Sequence, residues 1–407
     1  MKETWRWFGP GDPVPLDYIK QAGATGIVSA LHHLYRGEAW PLDEVFKRRD
    51  EILAAGFAWS VVESIPIHNS IKLRSGPYMH FINAWKHTLA AVAKAGVKVV
   101  CYNFMPVVDW TRTDLKWRLP STGYALRFDA VDFAAYDLCI LKRKGSEAEY
   151  TAKLFSQDNS GSAIWVRAAR ARFASMSEAR KDDLEKTIIA GLPGAEASYD
   201  REALRRLIAE YEGVNDADLR NNLVAFLRDV LPVAQENGVR LAIHPDDPPW
   251  PLFGLPRVVS TADDVKGILA AGDTQANGMT FCVGSFGARA DNDLLAMVGE
   301  FGEHIHFVHL RQVTRESDRS FHEAGHLDGT SDMVGVIEAV MKEEARRRSV
   351  GRPDHEIPMR PDHGHLLADD IGKKVNPGYS FVGRLKGLAE LHGVMRGLKY
   401  ADPELAE

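Results

Sequence analysis

Glu236-Asn237-Gly238-Val239-Arg240-Leu241-Ala242-Ile243-His244 compresses into one stretch the end of a helix, a glycine, a short apolar strand and a side chain able to bind metal. A glycine just past a helix takes the left-handed conformation without a Cβ penalty, so it marks where the helix stops. The same order recurs. Ala54-Ala55-Gly56 precedes an apolar run at 57–62, Lys94-Ala95-Gly96 one at 97–104, Ala22-Gly23 one at 27–31 and, more loosely, Glu300-Phe301-Gly302 one at 305–310. Helices that alternate with apolar strands imply βαβ crossovers and a parallel sheet.

Counted along the chain, the strands fall near residues 4–8, 26–31, 57–62, 97–104, 239–243, 278–283, 305–310 and 356–359. That number predicts an α/β fold, a (β/α)8 TIM barrel built as one domain over 1–407. A doubly wound sheet fits less well. No glycine-rich phosphate loop follows the first strand, and polar groups end nearly all the strands instead of clustering at one switch point. The chain has 407 residues, and a simple barrel needs roughly 250. Part of the surplus lies between the fourth and fifth strands, where 128–237 reads as a helical insertion with no convincing strand. Within it Leu219, Leu223, Phe226, Leu227, Val230 and Leu231 form one helical stripe, a kink is expected at Pro232, and the charged block 177–186 reads as a solvated helix. The insertion serves as a lid over the active side or as a contact in a homo-oligomer.

Composition excludes several classes. A hydrophobic fraction of 45% supports a large core. A net charge of -6 and a pI near 6.2 argue against nucleic acid, which asks for a basic face. A small anionic substrate needs only a local cation cluster. Three cysteines make no disulfide framework, and Cys101 and Cys139 sit in apolar stretches as core. The N-terminus lacks an apolar signal region, and no run approaches the roughly 18 apolar residues of a membrane span. A cytoplasmic protein that does not engage the membrane is expected.

The chemistry sits at the strand ends. Four consecutive apolar runs lead to His244, Cys282, His309 and Asp362. Imidazole, thiolate and carboxylate all bind borderline divalent metals, and in a barrel the strand-to-loop edge is the active face. Each residue alone has a bland reading: a structural histidine, a buried cysteine, a turn aspartate. All four at the same end of neighbouring strands point to one ion. The set is not the closed sulfur cage of a structural zinc site; manganese, ferrous iron or cobalt suits it, and zinc stays open. The stiff loop His244-Pro245-Asp246-Asp247-Pro248-Pro249 is expected to fix the His244 ring. His32-His33 and Asn103 end the second and fourth strands, and both positions are read as pocket lining. Adjacent residues of a strand face opposite ways, so at least one of the two histidines is structural. His68 is a weaker candidate. His322 and His326 have helical spacing but lack the glutamate of HExxH, and their segment reads as a loop or helix start.

At these residues the chain resembles the mannonate dehydratases of hexuronate (glucuronate) catabolism, a family of xylose-isomerase-like barrels. The resemblance runs essentially end to end. It is carried by Val61-Val62-Glu63-Ser64-Ile65-Pro66, Cys101-Tyr102-Asn103-Phe104-Met105-Pro106-Val107-Val108-Asp109-Trp110, the His244–Pro249 loop, Arg360-Pro361-Asp362-His363-Gly364-His365 and Asn376-Pro377-Gly378-Tyr379-Ser380. It implies dehydration of D-mannonate to 2-dehydro-3-deoxy-D-gluconate with Mn2+ or Fe2+. The implied ligands are His244, Cys282, His309 and Asp362, and the implied acid–base groups are His363 and Tyr379 with Arg360 beside them. Arg311, Asn103 and His33 are assigned to the sugar acid. Elimination of water needs a base for the C2 proton, an acid for the C3 hydroxyl and a nearby cation, but no redox cofactor. Competing readings are a metal-dependent sugar isomerase or epimerase, a barrel that only binds sugar acid, and a hydrolase using metal-bound water.

Overall fold

A computed structural model describes residues 1–151, 163–190 and 200–405. The described residues form strands β1 (Lys2–Arg6), β2 (Gly26–Ser29), β3 (Ala58–Glu63), β4 (Val99–Tyr102), β5 (Asp114–Arg118), β6 (Tyr124–Phe128), β7 (Arg240–Ile243), β8 (Asn277–Cys282), β9 (Ile305–His309), β10 (Val313–Arg315), β11 (Phe321–Glu323) and β12 (Pro358–Arg360). Eight of them close into a parallel barrel in the order β1-β12-β9-β8-β7-β4-β3-β2. These are the strands the sequence predicts, each shifted or trimmed by a few residues.

The barrel strands are buried on both faces, which explains their unbroken apolar runs. Val28, Val61, Val99, Cys101, Ala242 and Phe307 fill the interior. Cys101 is therefore packing, and burial pushes its thiol well above the ordinary range. A larger shell joins the outward strand residues to the surrounding helices, among them Leu42–Ala54, Tyr78–Lys94, Asp216–Glu236, Met333–Ser349 and Phe381–Ala401. Gly56, Gly96 and Gly238 have φ of +82°, +90° and +61°, as the helix–glycine–strand recurrence requires. Gly302 departs from it with φ of -48°, and a 3-10 turn over Gly302–His304 replaces the left-handed cap.

Residues after β6 form helices at Ala130–Ala135, Ser146–Thr151, Ala163–Ser175, Glu178–Ala190 and Arg201–Ala209, with a π-helical turn at Tyr136–Leu141. The helix Asp216–Glu236 begins with a reciprocal Asn215–Asp218 cap and contains Pro232 without ending there. The charged block is helical but not solvated all round, because Leu184 within it is buried.

β5 and β6 pair with β11 and β10 in a second, antiparallel sheet of order β10-β11-β6-β5. The segment at His322, read as a loop or helix start, is strand β11. No described helix is long and apolar enough to cross a membrane.

Candidate active site

Parallel register places the strand-end residues in a row at the C-terminal mouth. Cys282 pairs with His309, and His309 with Arg360. His244 directly follows β7. Asp362 follows β12 in a left-handed conformation, φ +60°, which aspartate tolerates better than most residues. The mouth opens on a cavity lined by Arg6, Glu63, Asn103, His244, Arg360 and Tyr379, among others.

His244, Cys282 and His309 bring one ligand atom each within 4.8 Å of one another. His244 Nδ1 lies 2.6 Å from the Pro245 carbonyl, so it donates there and leaves the Nε2 lone pair facing His309. The expected bracing by this loop thus comes from its backbone. His244 Nε2 and His309 Nδ1 are 3.2 Å apart. Two nitrogens each about 2.1 Å from one ion, at tetrahedral or octahedral angles, stand roughly 3.0–3.4 Å apart. Without an ion the same gap is bridged by a proton on His309 Nδ1, with His309 Nε2 accepting from Arg360 Nε at 3.1 Å. Ion binding would displace that proton. Burial pulls His244 down and His309 well down, which favours the neutral, ligating imidazoles.

Asp362 stands beside this group instead of closing around it. Its Oδ2 is 3.8 Å from His309 Nδ1, and its Oδ1 accepts from Arg360 Nη1. Burial acts to raise its carboxyl, but Arg360, His363, His309 and Arg311 hold it well below the usual range. Burial pushes the Cys282 thiol up to about 11, against the pull of Arg311, so a cation must be present for it to bind as thiolate. The charges lining the cavity fit that need: guanidiniums of Arg6, Arg311 and Arg360 face carboxyls of Glu63, Asp109, Asp247 and Asp362. Three donors converge, a fourth lies alongside and the wall has one carboxyl in excess; these residues fit a divalent ion. Cys282→Ser is expected to weaken metal binding by more than about 10²-fold, since even residues behind the ligands cost 10–100-fold. Titration of metal content checks it, and parental affinity would make Cys282 mere packing.

His363 and Tyr379 line the same cavity, their rings edge to face at 5.1 Å. Gly378 permits this approach, because a Cβ there would meet His363 Cδ2 and Leu126 Cδ1, both at 2.9 Å. Arg384 fixes the segment by donating to the carbonyls of Tyr379, Ser380 and Arg6. The cation on the Tyr379 hydroxyl is Arg6, whose Nη1 donates to it at 3.3 Å. Burial still pushes the phenol upward despite Arg6 and Arg360, so it is protonated at neutral pH.

Arg360 is held among the candidate ligands. Besides Asp362 and His309, its Nη2 donates to Glu63 at 2.8 Å. Arg311 is likewise committed, donating to Asp247 at 2.6 Å and Ser285 at 3.0 Å. Asn103 lines the cavity, 3.5 Å from Asp109. His33 does not. Its side chain is 55% exposed and lies 3.6 Å from Glu44, while His32 takes the place in the wall. β2 ends at Ser29, so strand alternation does not reach the histidine pair. His68 caps the helix Asn69–Leu73 and stacks on Phe81. His326 braces the Pro361 carbonyl at 2.8 Å, one residue from Asp362. Sequence reasoning missed Arg6 and Glu63, which close β1 and β3 and carry the same strand-end signal as the ligands. It also missed Arg112 and Glu323, for which no local signal exists.

A closed parallel barrel with imidazole, thiol and carboxyl donors at its C-terminal mouth, beside His363 and Tyr379, is a (β/α)8 protein with a candidate metal centre. The family described as D-mannonate dehydratase (UxuA) matches residues 1–403. Mannonate dehydratase of Saccharophagus degradans is 52% identical over 98% of both chains. Mannonate dehydratase of Chromohalobacter salexigens is 54% identical over 98% of this chain and 99% of its own. The crystal structure of mannonate dehydratase from Streptococcus suis serotype2 superposes with a TM-score of 0.73 at 31% identity, covering 98% of this chain and 94% of the other. The chain belongs to the D-mannonate dehydratase family.

Proposed function

We propose that this protein is a hydro-lyase that converts D-mannonate to 2-dehydro-3-deoxy-D-gluconate and water, with Mn2+ or Fe2+ held by His244, Cys282, His309 and Asp362. The observation that carries the reading is the convergence of buried Cys282 and His309 on His244, which lines one cavity together with Asp362, His363 and Tyr379, in a chain of this family. Of the three cavity guanidiniums, Arg6 has the weakest protein partners. Its Nη1 makes two contacts of 3.3 Å, to Glu63 and Tyr379, and its Nε makes none. Arg6 therefore takes the role first given to Arg311 and receives the substrate carboxylate. Asn103 and Asp109 offer a donor and an acceptor to the sugar hydroxyls.

With the carboxylate so held, His363 Nε2 takes the C2 proton. Protonated Tyr379 gives its proton to the C3 hydroxyl, which leaves as water along with the C3–O bond pair. The resulting enol tautomerises to the 2-keto acid. When bound, the ion supplies positive charge that offsets the negative charge arriving at the carboxylate as C2 loses its proton.

The test is a panel of aldonates offered to metal-stripped protein with single metals added back. D-mannonate is expected to yield a 2-keto-3-deoxy acid, and D-mannose, lacking the carboxylate, neither to react nor to compete. Interconversion of sugars without a keto-deoxy acid, or strong competition by D-mannose, would overturn the reading in favour of an isomerase.

A further inference from the structure

The antiparallel sheet reaches the reacting centre through one side chain. Glu323, in β11, places Oε1 3.1 Å from His363 Nδ1. Arg311 Nη1, a donor only, stands 3.3 Å from the same nitrogen. The two make opposite demands: the carboxylate needs a proton on Nδ1, the guanidinium a lone pair. The carboxylate prevails. It is closer, and Arg311 Nη1 already donates to Asp247 at 2.6 Å. Burial acts to raise Glu323, but Arg311, His363 and Arg112 bring it down to about 2, so it is an anion.

Glu323 is itself clamped. Arg112 Nη2 donates to it at 2.8 Å, while Arg112 also forks onto Asp247 at 2.7 and 3.1 Å. Arg112, Asp247, Arg311 and Glu323 thus alternate as cation and anion, all buried; Arg112 follows β4, Asp247 follows β7, and Arg311 and Glu323 come from the stretch between the end of β9 and the end of β11. Arg112 is further sandwiched by Trp110 and Phe321, its Cζ 4.7 and 4.8 Å from their centroids. Removing four charged groups from water is costly, and well-packed apolar residues would usually serve stability as well. An ionised acceptor on a histidine gives the arrangement a use that apolar residues cannot supply.

We propose that Glu323, held by Arg112, is a positioning residue for His363: it accepts the Nδ1 proton, keeps the Nε2 lone pair available to the substrate, and stabilises the imidazolium formed when the C2 proton arrives. The inference rests on the reading of His363 as the base. The logic is that of a histidine base oriented by a carboxylate behind it. The second sheet is then part of the active site, because it carries this carboxylate.

The experiment uses the metal-loaded enzyme and four variants: Glu323→Gln, His363→Asn, the double variant and Arg112→Lys. Glu323→Gln keeps the shape but removes the anion. It is expected to lower kcat by about 10- to 10³-fold, short of the roughly 10⁴ seen where a triad carboxylate is neutralised. KM for D-mannonate and metal content should stay within about 3-fold, and the isotope effect on kcat with C2-deuterated D-mannonate should rise as proton removal becomes slower. In the His363→Asn background the same substitution should cost nothing further, because residues acting as a unit are non-additive. Arg112→Lys, which breaks the fork onto two carboxylates, should show the same signature at smaller size even if the glutamine variant does not fold. An additive loss in the double variant, or loss of metal and KM with kcat intact, would reduce Glu323 to a structural group. Near-parental turnover of His363→Asn alone would instead remove the base assignment, a different result from failure of the positioning role.

Discussion

Chelation of the divalent ion is expected to stop dehydration of D-mannonate, and Mn2+ or Fe2+ alone to restore it. A proton beside a carboxylate is held tightly because its loss places further negative charge next to an existing one. The wall of the cavity cannot absorb that charge, since carboxyls outnumber guanidiniums there. Arg311 is paired with Asp247 and Glu323, and Arg360 with Glu63 and Asp362. Charge stabilisation by a bound ion contributes several kcal/mol, so its removal costs more than about 10³-fold. The fold should survive, because the interior beneath the site, Val28, Val61, Val99, Cys101, Ala242 and Phe307, owes nothing to the ion. Turnover, metal content and far-ultraviolet circular dichroism measured on the same chelated sample separate these effects. Full turnover in metal-free protein would remove the site and the mechanism together.

His363→Asn and Tyr379→Phe are each expected to lower turnover by about 10²- to 10⁴-fold while the metal is retained, the range that positioned proton transfer contributes. The two should fail in different ways. Without the imidazole the C2 proton has no acceptor, so proton exchange at C2 from solvent water should vanish along with turnover. Without the phenol the C3 hydroxyl lacks its proton donor, yet exchange at C2 should persist, because His363 and its partner Glu323 are untouched. Exchange is followed by deuterium incorporation into recovered D-mannonate. Equal loss of exchange in both variants would contradict the division of labour, and near-parental turnover in both would move proton transfer to other groups.

The barrel and the row of donor side chains at its strand ends were legible in the chain for a local reason. A parallel strand covered on both faces must be apolar throughout, so the first polar residue after it stands out, and that is where a barrel keeps its chemistry. His244, Cys282 and His309 are such residues, Asp362 comes two positions after Arg360 at the end of β12, and Arg6 and Glu63 carried the same mark unread. The choice between His32 and His33 was not local, because β2 stops at Ser29 and the turn beyond it sets which ring faces the cavity. The second sheet was illegible for a stronger reason. β10 and β11 have three residues each, too few for a period to show, and β11 finds β6 through pairings such as Arg127 with His322. Arg112 meets Glu323 across 211 positions of sequence. Nothing near either residue announces a partner, since a buried ion pair is chosen by what the fold brings together. Sequence alone determined the barrel, the ends of its strands and the donors placed there. Tertiary structure decided how far each charge is spent: Arg311 and Arg360 on carboxylates, Arg6 on two longer contacts of 3.3 Å, and Glu323 turned toward the Nδ1 of His363.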